Sequence, residues 1–144
     1  TRFYYNQGVR DVTGVDVTES MIKLAKEMSV DYERIKYIVK DAIELYLDKK
    51  FDIISAIYLL NYAENRKVLN EFVKCIKRHL APGGVFISYN NNPNQDPSTY
   101  EMTKKYGITK KGDSTEEGAP VVFNFYKDNE YSCCCTNYIL SDDI

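Results

Sequence analysis

Two aspartates hold the most informative positions for chemistry in this sequence. Asp16 closes the short apolar run Val12-Thr13-Gly14-Val15, and Asp41 follows the run Ile35-Lys36-Tyr37-Ile38-Val39-Lys40. Where a buried strand gives way to a turn, a carboxylate such as Asp16 can accept both hydrogen bonds of a ribose diol, because ligands of open α/β sheets collect at the carboxyl ends of the strands. It can equally cap the helix that follows, although Thr18 is the better-placed cap there. Asp41 has the same alternative, as the cap of a short helical stretch at 42–47. Two further polar groups stand at strand ends: Tyr58-Leu59-Leu60-Asn61 and Asn90-Asn91-Asn92-Pro93. For any single Asn, exposed loop polarity is the competing reading.

The remaining candidates point away from metal or thiol chemistry. The single histidine, His79, falls in the last turn of a predicted helix beside Lys77 and Arg78, where cations suit the negative end of the dipole, so a solvated side chain is expected. Cys75 lies on that helix, and Cys133-Cys134-Cys135 form a consecutive trio without Cys-x-x-Cys spacing. Strand neighbours point to opposite faces, and Cys133 and Cys135 are separated by roughly 6.5–7 Å, at or beyond disulfide reach. No metal site is expected, and the trio reads as small half-buried strand residues.

Positioning these groups falls to an alternation of strands and helices. The chain starts in a helix that Gly8 ends. A strand at 12–16, too apolar and short for a wet face, should lie inside a parallel sheet covered on both sides. A helix at 19–28, a strand at 35–40 and a strand of the fully buried kind at 51–58 follow. At 65–80 the apolar positions Val68, Leu69, Phe72, Val73, Ile76 and Leu80 keep helical spacing, and Pro82-Gly83-Gly84 stops the helix. A strand at 85–89 completes an α/β pattern, a Rossmann-like doubly wound and mostly parallel sheet joined by right-handed crossovers. After Tyr89 the pattern changes. Residues 94–120 are polar with one short helix near 100–106, and strands at 121–126 and 131–139 form an appended antiparallel hairpin turning at Asp128-Asn129. Ser141-Asp142-Asp143 resembles a helix start.

The whole is one domain at most: 144 residues, 44% hydrophobic and 28% charged, with a core-forming composition. It divides into a core at 1–93 and a second part at 94–144. A net charge of −2 offers no electrostatic basis for nucleic acid or an anionic membrane as partner. Neither a signal sequence nor a bilayer-length apolar run is present, so the expected location is cytoplasmic.

Several separated segments, in order, carry a resemblance: Val12-Thr13-Gly14-Val15-Asp16 with Ser20-Met21-Ile22, then Lys40-Asp41-Ala42, Phe51-Asp52-Ile53-Ile54 and Leu80-Ala81-Pro82-Gly83-Gly84-Val85. Together they resemble the class I S-adenosylmethionine-dependent methyltransferases from about Gly8 to Tyr89. The part after Tyr89 is similar, more loosely, to the substrate-side insertions of the small-molecule members. The resemblance implies S-adenosylmethionine as cofactor. Asp16 would bind the ribose hydroxyls, Val17 and Met21 would pack near the adenine, Asp41 would receive its exocyclic amine and Ala42 would offer a backbone N–H. By position, Tyr58 would stand near the methionine part of the cofactor, with Asn61 and Asn90 as orienting candidates for a small-molecule acceptor. No residue is singled out as the catalytic base, because in-line positioning can carry much of the reaction.

The family's first strand and its glycine-rich turn have no counterpart before Asp16. Thr1 in place of Met fits a chain that starts after them, and the resemblance therefore implies a partial domain unable to complete a catalytic cycle by itself. Two rival readings share the sheet class. One is a nicotinamide-dependent oxidoreductase, in which an acid also binds ribose. The other is a non-catalytic subunit that uses the hairpin as an interaction edge.

Overall fold

The computed structural model describes residues 1–112 and 116–140, so the suggested helix start at Ser141 lies outside them. The chain folds as two compact units, Thr1–Asp48 and Lys49–Ile144. The described strands form three separate sheets: a parallel pair in the first unit, and a parallel pair and an antiparallel triplet in the second.

The first unit opens with α1 (Arg2–Asn6). It ends in a Schellman motif: the N–H of Gly8 donates to Tyr5 C=O at 2.9 Å and that of Val9 to Tyr4 C=O at 3.1 Å. Gly8 takes φ 86°, a conformation available to it because it has no Cβ. β1 (Val12–Asp16) then pairs in parallel with β2 (Ile35–Val39), Val12 opposite Ile35 and Asp16 opposite Val39. The crossover is α2 (Glu19–Glu27), which buries Ile22. β1 buries Val12 and Gly14 and leaves the alternate positions half-buried, so it is a one-sided strand and not the enclosed one expected. Thr18 does occupy the N-cap of α2, but its side chain makes no capping hydrogen bond. The stretch at 42–47 forms a single turn at 42–44 and no helix.

In the second unit β3 (Phe51–Ile57) pairs in parallel with β4 (Leu80–Tyr89) through α3 (Arg66–His79). Asn65 caps α3, its Oδ1 accepting from Val68 N–H at 3.1 Å. Leu69, Phe72, Cys75 and His79 are buried along one face, as the periodicity requires. Three expectations change here. The helix ends at His79, and Leu80 already pairs with Phe51, so the Pro82-Gly83-Gly84 segment lies within β4 at a register shift and does not stop the helix. His79 is 3% exposed, because the burying face of α3 runs through to its last residue; its Nδ1 lies 2.8 Å from Cys75 C=O. β3 is largely open, with Ile53 46% and Ile57 60% exposed, since among the described residues it pairs with β4 alone.

The antiparallel sheet has three strands where a hairpin was expected: β5 (Ile108–Lys111), β6 (Pro120–Lys127) and β7 (Glu130–Tyr138). A 3-10 helix (Pro97–Tyr106) leads into β5 through Gly107, at φ 79°, where a Cβ would stand 2.8 Å from Tyr126 C=O. The β6–β7 turn is the one the sequence indicates, with Asp128 and Asn129 both at positive φ. Tyr100, Val121, Phe123 and Ile139 form the core of this sheet, with Cys135 packed against it, while Cys133 and Cys134 are exposed. A bidentate ion pair ties the start of α3 to the loop before β6: Arg66 Nε lies 2.6 Å from Glu117 Oε1 and Nη2 lies 3.3 Å from Oε2. The carboxylate offsets the otherwise unfavourable cation at a helix N-terminus.

Candidate functional site

In the first unit, the parallel register sets Asp16 and Asp41 at the carboxyl ends of two adjacent strands. Asp16 lies opposite Val39, and Asp41 follows two residues later. Both acids then make the same local bond. Asp16 Oδ1 accepts from Thr18 N–H and Asp41 Oδ1 from Ile43 N–H, each at 2.8 Å. Such Asx turns fix the carboxylate against its own backbone through one oxygen, and an ionised carboxylate has a second oxygen for an external donor. The capping and ligand-binding readings are thus compatible. Beside Asp16, Val17 is 65% and Met21 52% exposed, an apolar surface of the kind a flat base covers. Ala42 is half-buried in the turn after Asp41.

In the second unit, Tyr58 follows directly on β3 and takes φ 58°, an uncommon conformation for a bulky residue. It is held by its N–H donating to Tyr89 C=O at 2.7 Å, and by an edge-on contact between the two rings with centroids 5.3 Å apart. Burial, followed by the neighbouring Tyr89, raises its hydroxyl above the ordinary tyrosine range. Held strain of this kind, at the end of a strand, is a feature of functional edges.

Asn61 sits in a 3-10 turn (Leu60–Tyr62), and its Oδ1 accepts from Asn91 N–H at 3.0 Å. Asn91 Nδ2 in turn donates to Asn137 Oδ1 on β7 at 3.1 Å. This amide chain joins the segment after β3, the segment after β4 and the last strand. Asn90, the residue singled out from the sequence, instead donates from Nδ2 to Ser88 Oγ and is exposed. Asn61, Asn90 and Asn91 all line a cleft of about 100 Å³, together with Leu60, Tyr100 and Lys110.

Sequence reasoning missed Asn137, Lys110 and Gln95, whose Oε1 accepts from the Lys110 ammonium. The first reads as an ordinary strand residue, and the other two fall in a stretch read as polar connection. Only the Asn90-Asn91-Asn92 run signalled that an amide mattered there. Asn137 is 5% exposed, so Asn91→Ala, which leaves its Oδ1 without that donor, should lower stability by about 1–2 kcal/mol. Urea denaturation of wild type and variant measures this; an unchanged midpoint would remove the amide chain from the account.

Comparison with known proteins gives these placements a context. The family described as "Methyltransferase domain" matches residues 1–88, more than half of the chain. A demethylmenaquinone methyltransferase of Staphylococcus aureus is 32% identical over 78 residues, which cover 54% of this chain and 31% of that protein. The chain thus spans about a third of the length of the curated relatives it matches. Among solved structures, a Pyrococcus horikoshii protein superposes with a TM-score of 0.70 at 26% identity, covering 98% of this chain and 63% of that one. An S-adenosylmethionine-dependent methyltransferase of Clostridium acetobutylicum gives a TM-score of 0.63 at 18% identity, over 92% of this chain and 59% of that one, a likeness of fold.

Proposed function

This chain belongs to the methyltransferase-domain family, and from that premise we propose that the protein transfers the methyl group of S-adenosylmethionine to a small-molecule acceptor. The observation that carries the proposal is the pair of carboxylates at the carboxyl ends of adjacent parallel strands, each locked through one oxygen by a backbone N–H two residues on. In this reading Asp16 accepts from the ribose hydroxyls, Asp41 accepts from the adenine amine, and the Ala42 N–H donates to the ring. Val17 and Met21 cover the base. Two acceptor-only groups beside an open apolar surface suit a nucleoside, which presents hydroxyl and amine donors on a flat body.

S-adenosylmethionine, when bound, supplies a methyl group activated on a sulfonium. The residues of this chain hold and orient. By the family resemblance Asp16 and Asp41 hold the nucleoside end, and Tyr58 is assigned to the methionine side from its place in the sequence alone. Asn61 and Asn90 are assigned to the acceptor, with residues 94–144 as the acceptor-side part of a class I, Rossmann-like domain. Positioning is the main contribution asked of the protein, since a nucleophile held in line with the methyl can gain much of its rate from that alignment. No side chain is required as a base for an acceptor that is already nucleophilic.

The test is competition. Adenosylhomocysteine and NAD are titrated against the protein by calorimetry, with adenosylhomocysteine expected to bind and NAD not to displace it. Preferential binding of NAD would return the oxidoreductase reading. The non-catalytic subunit reading is tested separately, by size measurements on the full-length protein with candidate partners, where a stable complex formed through the hairpin would favour it.

A further inference from the structure

We propose that Lys110 determines acceptor specificity, so that the acceptor is a small apolar molecule bearing one oxyanion. The inference rests on the reading of the cleft as the acceptor site. Lys110 lies on β5 directly opposite Phe123 of β6. Its ammonium stands 5.0 Å from the centre of the Phe123 ring and 5.6 Å from that of Tyr100, and it donates to Gln95 Oε1. Among the described residues these partners are all neutral. The same lysine lines the cleft, whose walls combine apolar Leu60, Val121 and Ile139 with the amides of Asn61 and Asn91.

A cation held half-buried against two ring faces has lost part of its hydration, and ring faces and a neutral amide return only part of it. Burial accordingly lowers the amine below the ordinary lysine range. An anion entering the cleft would supply the missing countercharge in a medium where the attraction is stronger than in water. A neutral acceptor would leave the ammonium as it stands. The apolar walls beside it set the body of the molecule.

Carboxylates and ionised hydroxyls share this chemistry, and the probes separate them. Benzoate, 4-nitrophenolate and the neutral isostere benzamide are titrated at millimolar concentration against the full chain and followed by NMR, with adenosylhomocysteine titrated in parallel. At least one anion should bind about tenfold tighter than benzamide, the scale of a charge-assisted hydrogen bond, and the tighter anion identifies the acceptor's group. Lys110→Met should erase that preference and Lys110→Arg should keep most of it; the arginine variant retains the test if the methionine variant fails to fold. Equal binding of all three probes, no binding of any, or a preference that survives in Lys110→Met overturns the inference. If adenosylhomocysteine binds and no anion preference is seen, the assignment of Lys110 alone fails. If the preference is seen without adenosylhomocysteine binding, the methyltransferase reading fails and the anion cleft stands.

Discussion

Asp16→Ala is expected to weaken adenosylhomocysteine binding by about 1.5–3 kcal/mol, the scale of a charge-assisted hydrogen bond lost with its partner left in the site. The geometry supplies a control. Asp16 Oδ1 holds Thr18 N–H at 2.8 Å, so the alanine variant loses an Asx turn as well as a ligand group. Asp16→Asn keeps an oxygen for that turn and replaces the other with an amide that donates where the ribose hydroxyl needs an acceptor. Both variants should therefore bind weakly, while only Asp16→Ala should disturb the start of α2. Calorimetry reports the first effect and far-ultraviolet circular dichroism the second. Full affinity in Asp16→Asn with an intact fold would remove Asp16 from the ribose and leave it a turn residue.

The largest loss of stability is expected at Phe123. It is 8% exposed, packs with Tyr100, Val121 and Ile139, and carries the Lys110 ammonium over its ring. Truncation to alanine removes a buried ring from a small core, which costs about 3–5 kcal/mol where the site cannot collapse. The open cleft beside it allows some relaxation, so the lower end of that range is expected. Residues 94–144 are assigned to the acceptor, so adenosylhomocysteine affinity should change far less than stability or acceptor turnover. Denaturant melts and calorimetry on the same sample separate these effects. Loss of adenosylhomocysteine binding in a variant that remains folded would show the assignment to be misplaced.

Much of the local architecture was readable from the chain because it follows from short-range periodicity and turn chemistry. The apolar runs at Val12 and Ile35 became strands, the helical spacing from Val68 to Ile76 became α3, and Asp128-Asn129 became the hairpin turn. Each depends on residues within a few positions of one another. The placement of Asp16 and Asp41 at strand ends is of the same kind, since an acid after an apolar run marks where the strand stops. Where local reading failed, a longer-range term prevailed. His79 is buried because the face of α3 that packs inward extends to its last residue, which outweighs the preference of a helix terminus for a solvated cation. β3 is open because enclosure depends on neighbouring strands and not on its own composition.

The sequence by itself determined the order and type of most elements and the two acids that the proposed function rests on, because these are properties of contiguous residues. Tertiary structure decided which polar groups meet. Asn61 reaches Asn91 across 30 residues, and Asn91 reaches Asn137 across 46. Lys110 is carried over Phe123 by an antiparallel register that involves an unforeseen strand, β5. A one-residue slip in that register would turn Lys110 to the other face of the sheet, so no pattern along the chain could have placed it in the cleft.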